Sequence, residues 1–430
     1  MHSDRNKEKI FISIASYRDP ELIPTILDCV QKAQNKYRLH FGLCIQDEKS
    51  MIYKIKKIKK QYGIKIRYVF CHWRESQGAC WARYLIQRKL YKGEKFYFQL
   101  DSHHRFLEQW DSVLVDMNNN LRKEYPKNII GGYCPGYRIP KNVCDPDPIR
   151  ISSFDTFGED GDLVFRPHVV REKLSESVFP ARFLSGHFIF AEGRFVRECM
   201  YDPNMYFRGE EITLSARAYT FGYKLFHPSF PIVWHYYIRQ EADKHWLNHT
   251  TKNGYIIDCD VREKQAKNRL RTLLGMQPTK IKFGSYGLGK IRTLADYERY
   301  AGLNFFKKQI HKYTANIRND SPFAYEMSDA ELENMLINKL VRVKIPENMY
   351  NIDSRDMKAI ILCIYDHKDR LLFRDDLKPH QITQLFRSHQ WQKKVGLEST
   401  PAYSTLTIIN NKDRFSKPIK INNVEHYDSK

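Results

Sequence analysis

Four short apolar runs, separated by stretches with apolar residues at helical spacing, constrain the first hundred residues most. The runs are IFISIAS (10–16), LHFGLCIQ (39–46), IKIRYVF (64–70) and KFYFQLD (95–101). Between them lie PELIPTILDCVQKAQ, SMIYKIKKIKKQYG and SQGACWARYLIQRKLY (76–91), and NIIGGY (128–133) offers a fifth strand. Strand and helix alternating at short spacing imply an α/β fold, with parallel strands and helices on both faces of a Rossmann-like sheet. From 134 to about 180 the pattern breaks, and the proline-rich CPGYRIPKNVCDPDPIR reads as loop. FLSGHFIFAEG, FRGEEITLSARAYTFGY and KLFHPSFPIVWHYY then resume strands and a helix. After about 315 the composition turns polar, and RVKIPENMY, AIILCIYDHKDRLLFRDDL and YSTLTIINN suggest a small β-rich accessory module. We therefore expect a catalytic domain at 1–310, a linker or helical segment at 311–340, and an accessory domain at 341–430.

The fourth run ends abruptly in Asp101, Ser102, His103 and His104. In an open parallel sheet the carboxyl ends of the strands face the ligand crevice. Alternation in an extended segment would put Asp101 and His103 on one side, giving a carboxylate and an imidazole as two ligands for a divalent cation. Mixed oxygen and nitrogen donors suit Mn²⁺ better than Mg²⁺. His235, which ends the run PIVWH, is the third ligand we expect. A diphosphate would fill the open positions. The structural alternative is that Asp101 caps a helix running through FLEQWDSVLVDM.

Other candidates cluster at strand ends. In SYRDP (16–20), after the first strand, Tyr17 could stack on a base and Arg18 pair with phosphate. Asp19 reads more plainly as a helix N-cap ahead of Pro20. WRESQGACWAR offers Arg74, Gly78 and Arg83 near a helix start, where backbone can approach an anion. Glu210 and Glu211 follow a glycine in FRGEE, as paired carboxylates facing a sugar or as charges complementing a helix N-terminus. Ser185, Gly186 and His187 in SGHF are weak signals on their own.

The formal net charge is +21, which points to anionic partners such as phosphates, acidic glycans or a membrane surface. The lysines of SMIYKIKKIKK read as the wet face of an amphipathic helix rather than a nucleic-acid patch, so no nucleic-acid partner is expected. The nine cysteines are scattered and form no CxxC pair, which fits a reducing compartment and argues against a structural zinc site of the usual spacing. The polar start MHSDRNKEK and the lack of a bilayer-length apolar run lead us to expect a cytoplasmic protein, with peripheral association at the inner membrane face a further expectation. A metallophosphoesterase also uses Asp-x-His, but the further GD and GNH-type ligand motifs it needs are missing. A basic nucleic-acid or membrane-surface binder is the non-enzymatic alternative.

IFISIASYRDPELIPTI, the strand-end DSH, RGEE, the WHYY histidine and GLGKIRTLADYERYAGL occur in that order over roughly residues 8 to 305. Together they resemble the polypeptide hydroxyproline N-acetylglucosaminyltransferases and their bacterial relatives, glycosyltransferase family 60. The DSH triplet is also similar to the metal motif of the polypeptide N-acetylgalactosaminyltransferases, where a distant histidine completes the site. The resemblance implies a GT-A fold, a UDP-sugar donor (UDP-GlcNAc in the named members), a divalent metal (Mn²⁺ or Mg²⁺) and retention of anomeric configuration. It implies that Asp101, His103 and His235 hold the metal on the donor diphosphate. Ser16, Tyr17, Arg18 and Arg83 would line the nucleotide, and Glu210 and Glu211 would face the sugar and the acceptor, a glycan or a protein hydroxyl. It gives His104 no role.

Overall fold

A computed structural model describes residues 8–139, 143–144, 149–158, 162–170, 176–239, 243–255, 257–278, 281–311, 314, 328, 339–350, 353–395, 397, 399–422 and 424–428. The chain divides into two compact units, one comprising the described residues up to Ala301 and the other those from Gly302 onward. The expected linker at 311–340 falls almost wholly outside the described residues.

The first unit is built on an eight-stranded sheet. Its strands are β1 (Ile10–Tyr17), β2 (Leu39–Asp47), β3 (Lys65–His72), β4 (Phe96–Asp101), β6 (Asn128–Gly131), β7 (Val178–Pro180), β8 (Phe188–Glu192) and β9 (Lys224–Pro228). Two short strands, β5 (His104–Phe106) and β10 (Val233–His235), pair separately. The sheet order is β7-β9-β6-β8-β4-β1-β2-β3. β4, β1, β2 and β3 run parallel, as the alternation predicts. β8 lies antiparallel between β4 and β6, so the sheet is mixed. The crossovers carry α1 (Leu22–Gln31), α2 (Ser50–Tyr62) and α3 (Ala79–Leu85).

β1, β2 and β4 read as near-continuous apolar runs because both of their faces are covered. Ile10, Ile12, Ile14, Phe41, Leu43, Phe96, Phe98 and Leu100 are all buried in one core cluster. On α2 the apolar residues Met51, Ile55 and Ile58 face inward, and the lysines between them are exposed. The helix after the DSH turn, α4, spans Trp110–Leu121. Asp101 therefore does not cap it, which removes the structural alternative for that residue.

The proline-rich reading of 134–180 needs correction. Arg150–Phe157 and Leu163–Val169 form an antiparallel pair. β-Branched and aromatic residues there outweigh the neighbouring turn residues. Downstream, α5 (Glu210–Thr220) begins at the paired glutamates.

The second unit holds a three-stranded and a four-stranded antiparallel sheet. Met357–Tyr365 pairs with Leu371–Leu377 and with Tyr403–Asn410, the first of these being the hairpin that KDRLLFRDDL suggests. Its own core gathers Val341, Ile360, Leu362, Ile364, Ile382 and Leu406.

Candidate active site

The site grows from a bend. β4 ends at Asp101, the chain turns through Ser102 and His103, and β5 begins at His104. Thr25 of α1 fixes this bend: its hydroxyl donates to the Ser102 carbonyl at 2.9 Å and accepts from the His104 N–H at 2.9 Å. Asp101 and His103 thus meet through a turn and not through strand alternation. Ser102 and His103 point the same way, and both bond Asp19 Oδ2 at 2.7 Å.

β10 pairs antiparallel with β5, placing His235 opposite His104. This register brings three ligand atoms together. His235 Nε2 lies 2.9 Å from His103 Nε2 and 3.3 Å from Asp101 Oδ2, and His103 Nε2 lies 3.8 Å from Asp101 Oδ2. Cis ligands on an octahedral cation with bonds of about 2.1 Å stand roughly 3 Å apart, so the set fits a divalent ion. Burial and the neighbouring His103 hold the His235 imidazole well below its ordinary pKa, so it is neutral. Burial alone would raise the Asp101 carboxyl, but the His235 hydrogen bond and the Arg83 charge hold it well below its usual range. Two neutral or lone-pair nitrogens and a carboxylate are what a cation requires.

Asp19 orients this set. Besides His103 and Ser102 it accepts from Arg239 at 3.1 Å, and it is 2% exposed. A carboxylate on the far nitrogen of a ligating histidine fixes the tautomer, leaving Nε2 as the lone-pair donor. The N-cap reading of Asp19 missed this role. The signal was present, since SYRDP lies at a strand end. His104 is fully buried, with Nδ1 3.2 Å from the Asp101 carbonyl. It packs beside His235, ring centroids 5.0 Å apart.

A cleft opens next to the triad, lined among others by Tyr17, Gln46, Gly78, Arg83, Asp101, His103 and Trp246. Gly78 lies at φ 103°, and a side chain there would strike the Tyr206 backbone and ring, so only glycine fits. Arg18, at φ 45°, pairs with Asp243 at 2.8 Å. Arg18 and Arg74 both pack on Trp73, at 4.5 and 4.0 Å from its ring centre. Ser16 is buried while its neighbours Ala15 and Tyr17 line the cleft. Gln46, Asp243 and Trp246 carried no sequence signal, because only the fold brings them to β1.

Arg83 is held between two carboxylates. Nη2 donates to Asp101 Oδ1 at 2.7 Å, and Nε lies 3.0 Å from Glu210 Oε1. Glu210 also accepts from the Tyr201 hydroxyl at 2.6 Å and packs on Gly186, where a Cβ would meet its Oε1 at 2.9 Å. Glu211 faces another way, accepting from Ser185 Oγ and the Gly186 N–H, both at 2.9 Å. Ser185 Oγ also bonds His187 Nδ1 at 2.9 Å. Ser185, Gly186 and His187 thus gather around Glu211 and His235, and none of them lines the cleft that holds Tyr17 and Gly78.

No curated protein sequence matches the chain. Among solved structures, GalNAc-T7 with UDP, GalNAc and Mn²⁺ is 17% identical over 54% of this chain, with a TM-score of 0.44. The chain spans 45% of the length of that protein. S. aureus TarS 1–349 in complex with UDP-GlcNAc is 8% identical over 64% of this chain and 68% of its own, TM-score 0.40. The mannosyltransferase PcManGT from Pyrobaculum calidifontis, with GDP-Man and Mn²⁺, is 7% identical over 52% of this chain and 57% of its own, TM-score 0.34. None of these similarities is close enough to carry an argument. The family model described as Glycosyltransferase (GlcNAc) matches residues 9–52 and 43–307, a span that takes in the DSH bend, the paired glutamates and His235 and covers most of the chain, and the chain belongs to that glycosyltransferase family.

Proposed function

We propose that the enzyme moves N-acetylglucosamine, or a related hexosamine, from a UDP-sugar to a hydroxyl acceptor with retention at the anomeric carbon. The acceptor is a bacterial surface glycan or a protein hydroxyl. One observation carries the reading: Asp101, His103 and His235, distant in sequence, converge beside a cleft at the carboxyl ends of β1, β2 and β4. These three would hold Mn²⁺ or Mg²⁺. When bound, the cation supplies charge stabilisation for the departing diphosphate.

The chain's own residues do the rest. Tyr17, Gln46 and Gly78 line the space for the nucleoside, with Arg18 and Arg74 on Trp73 at its rim. Arg83, fixed by Asp101 and Glu210, keeps a positive charge where negative charge develops. Glu210 is already paired with Arg83 and Tyr201, and Glu211 is turned toward Ser185 and Gly186, which supports front-face transfer. In that step the bond from the anomeric carbon to the phosphate oxygen breaks and the bond to the acceptor oxygen forms. The acceptor proton passes to the departing phosphate.

The deciding experiment scores UDP release from a panel of UDP-sugars with and without Mn²⁺. Metal-dependent release in the native enzyme and its loss in His103→Ala and His235→Ala are expected. Full metal-dependent turnover in both variants overturns the ligand set. A glycosyl adduct trapped on Glu210 or Glu211 overturns front-face transfer.

A further inference from the structure

The donor cleft uses one side of the ligand triad. The opposite side, around His235, has a separate set of groups that the donor reading leaves without a task. Tyr237 packs on His235 with ring centroids 4.3 Å apart. Tyr133 stacks on Tyr237 at 5.4 Å, the rings tilted by 5°. His187 meets the edge of Tyr133 at 5.2 Å and lies 4.7 Å from His235. Through Ser185, His187 connects to Glu211.

Most polar atoms in this group are occupied. The Tyr237 hydroxyl donates to the Cys134 carbonyl at 2.7 Å. Glu211 Oε1 accepts from both Ser185 and Gly186. Two atoms differ. Glu211 Oε2 and the Tyr133 hydroxyl have no hydrogen-bond partner among the described residues, and neither belongs to the buried orphan atoms. Both residues are partly exposed. They feel one another's charge, and Arg150 bears on both tyrosines.

We infer that Tyr133, Tyr237 and Glu211 form the acceptor subsite, and that its ligand is the pyranose end of a glycan. This rests on the glycosyltransferase reading above. A transferase must bring two substrates to one centre, and the donor occupies the Tyr17 side. A pyranose has apolar C–H faces and a rim of hydroxyls. A tyrosine pair offers flat apolar surface, and an open carboxylate oxygen accepts from hydroxyls. Glu210 is buried and its Oε1 already meets Arg83 and Tyr201, which leaves the more exposed Glu211 for this task. The two adjacent glutamates thus divide: Glu210 braces the centre and Glu211 receives the acceptor.

The test uses full-length enzyme with Mn²⁺ and UDP-GlcNAc. The probes are p-nitrophenyl pyranosides (glucoside, galactoside and N-acetylglucosaminide) and, in a separate arm, a hydroxyproline-containing peptide. At least one pyranoside should accelerate UDP release. Tyr133→Phe and Glu211→Gln should each raise its KM by about tenfold or more, as expected for losing a hydrogen bond to substrate. Calorimetric affinity for UDP with Mn²⁺ should move less than twofold in both, which also reports that they fold. The inference is overturned if the pyranoside KM is unchanged, if UDP affinity falls in step with it, or if only the peptide accelerates release. It is also overturned if no pyranoside accelerates release while metal-dependent release to water persists. Absence of any metal-dependent UDP release is a different failure and removes the donor reading itself.

Discussion

At the scale of single residues, the triad depends on a buried carboxylate beside it. Asp19 holds His103 by its far nitrogen, and Arg239 and Ser102 hold Asp19. Asp19→Asn keeps the shape but weakens acceptance from the imidazole N–H, so cation affinity should fall by about 10- to 100-fold. Titration of Mn²⁺ into the variant, followed by calorimetry, checks this without turnover. Glu211 supplies a second prediction. Burial foremost, with the charges of Glu210 and Asp101, pushes its carboxyl up to about 7 against the hydrogen bonds from Gly186 and Ser185. A raised acid favours the folded state below its ordinary 4.5 and loses that contribution as pH climbs through about 7. The native protein's thermal midpoint should therefore decline between pH 5 and 8 more than that of Glu211→Gln. Parallel curves would refute the assignment. The three side chains proposed as ligands were each legible, since Asp101 and His103 end an apolar run and His235 ends another. Asp19 was visible as a cap, and its Oδ1 does accept from the Glu21 N–H at 2.9 Å, but nothing local pointed to the His103 bond made by its other oxygen. The open atoms of Tyr133 and Glu211 were not legible at all: whether a polar atom is already partnered depends on folds of the chain that no local pattern records.

At the scale of elements, β1, β2 and β4 could be read because burial on both faces forces unbroken apolar runs, and the edge strand β3 because its residues are β-branched and aromatic. β8 could not be oriented from sequence, since an antiparallel central strand has the same composition as a parallel one. The hairpin at 150–169 was hidden behind prolines and turn residues that belong to its approach. α2 was read correctly as amphipathic, and its wet side raises a question of partners. Lys54, Lys56, Lys57, Lys59 and Lys60 are all exposed, as is Tyr53 at 74%. None of these lysines forms an ion pair among the described residues. We propose that this face contacts an anionic membrane surface. Each lysine near such a surface contributes about 1 kcal/mol. Reversing Lys54, Lys57 and Lys60 to glutamate should lower binding to phosphatidylglycerol vesicles by about 100-fold or more, with little binding to neutral vesicles before or after. Sedimentation with vesicles of the two compositions reads this directly, and equal binding by native and reversed proteins would exclude α2 as the contact.

At the scale of the whole molecule, the described residues include two hydrophobic cores that share no residue. Separate cores imply separable unfolding. Leu362, fully buried in the second core, gives the test. Leu362→Ala should destabilise its own unit by about 2–5 kcal/mol. Scanning calorimetry should then show one transition shifted down and the other in place, with metal-dependent UDP release kept below the lower transition. A single shifted transition would show that the units melt as one.

The pairing of β5 with β10 has a consequence for how the enzyme is made. Two of the three residues proposed as cation ligands leave the ribosome early, while the third follows more than a hundred residues later. A nascent chain that ends before His235 lacks the third of these side chains, however complete its first strands are. If these three hold the cation as proposed, metal loading is a late event in biosynthesis. The early half of the sheet must find its shape unaided, on the strength of its oily strands alone.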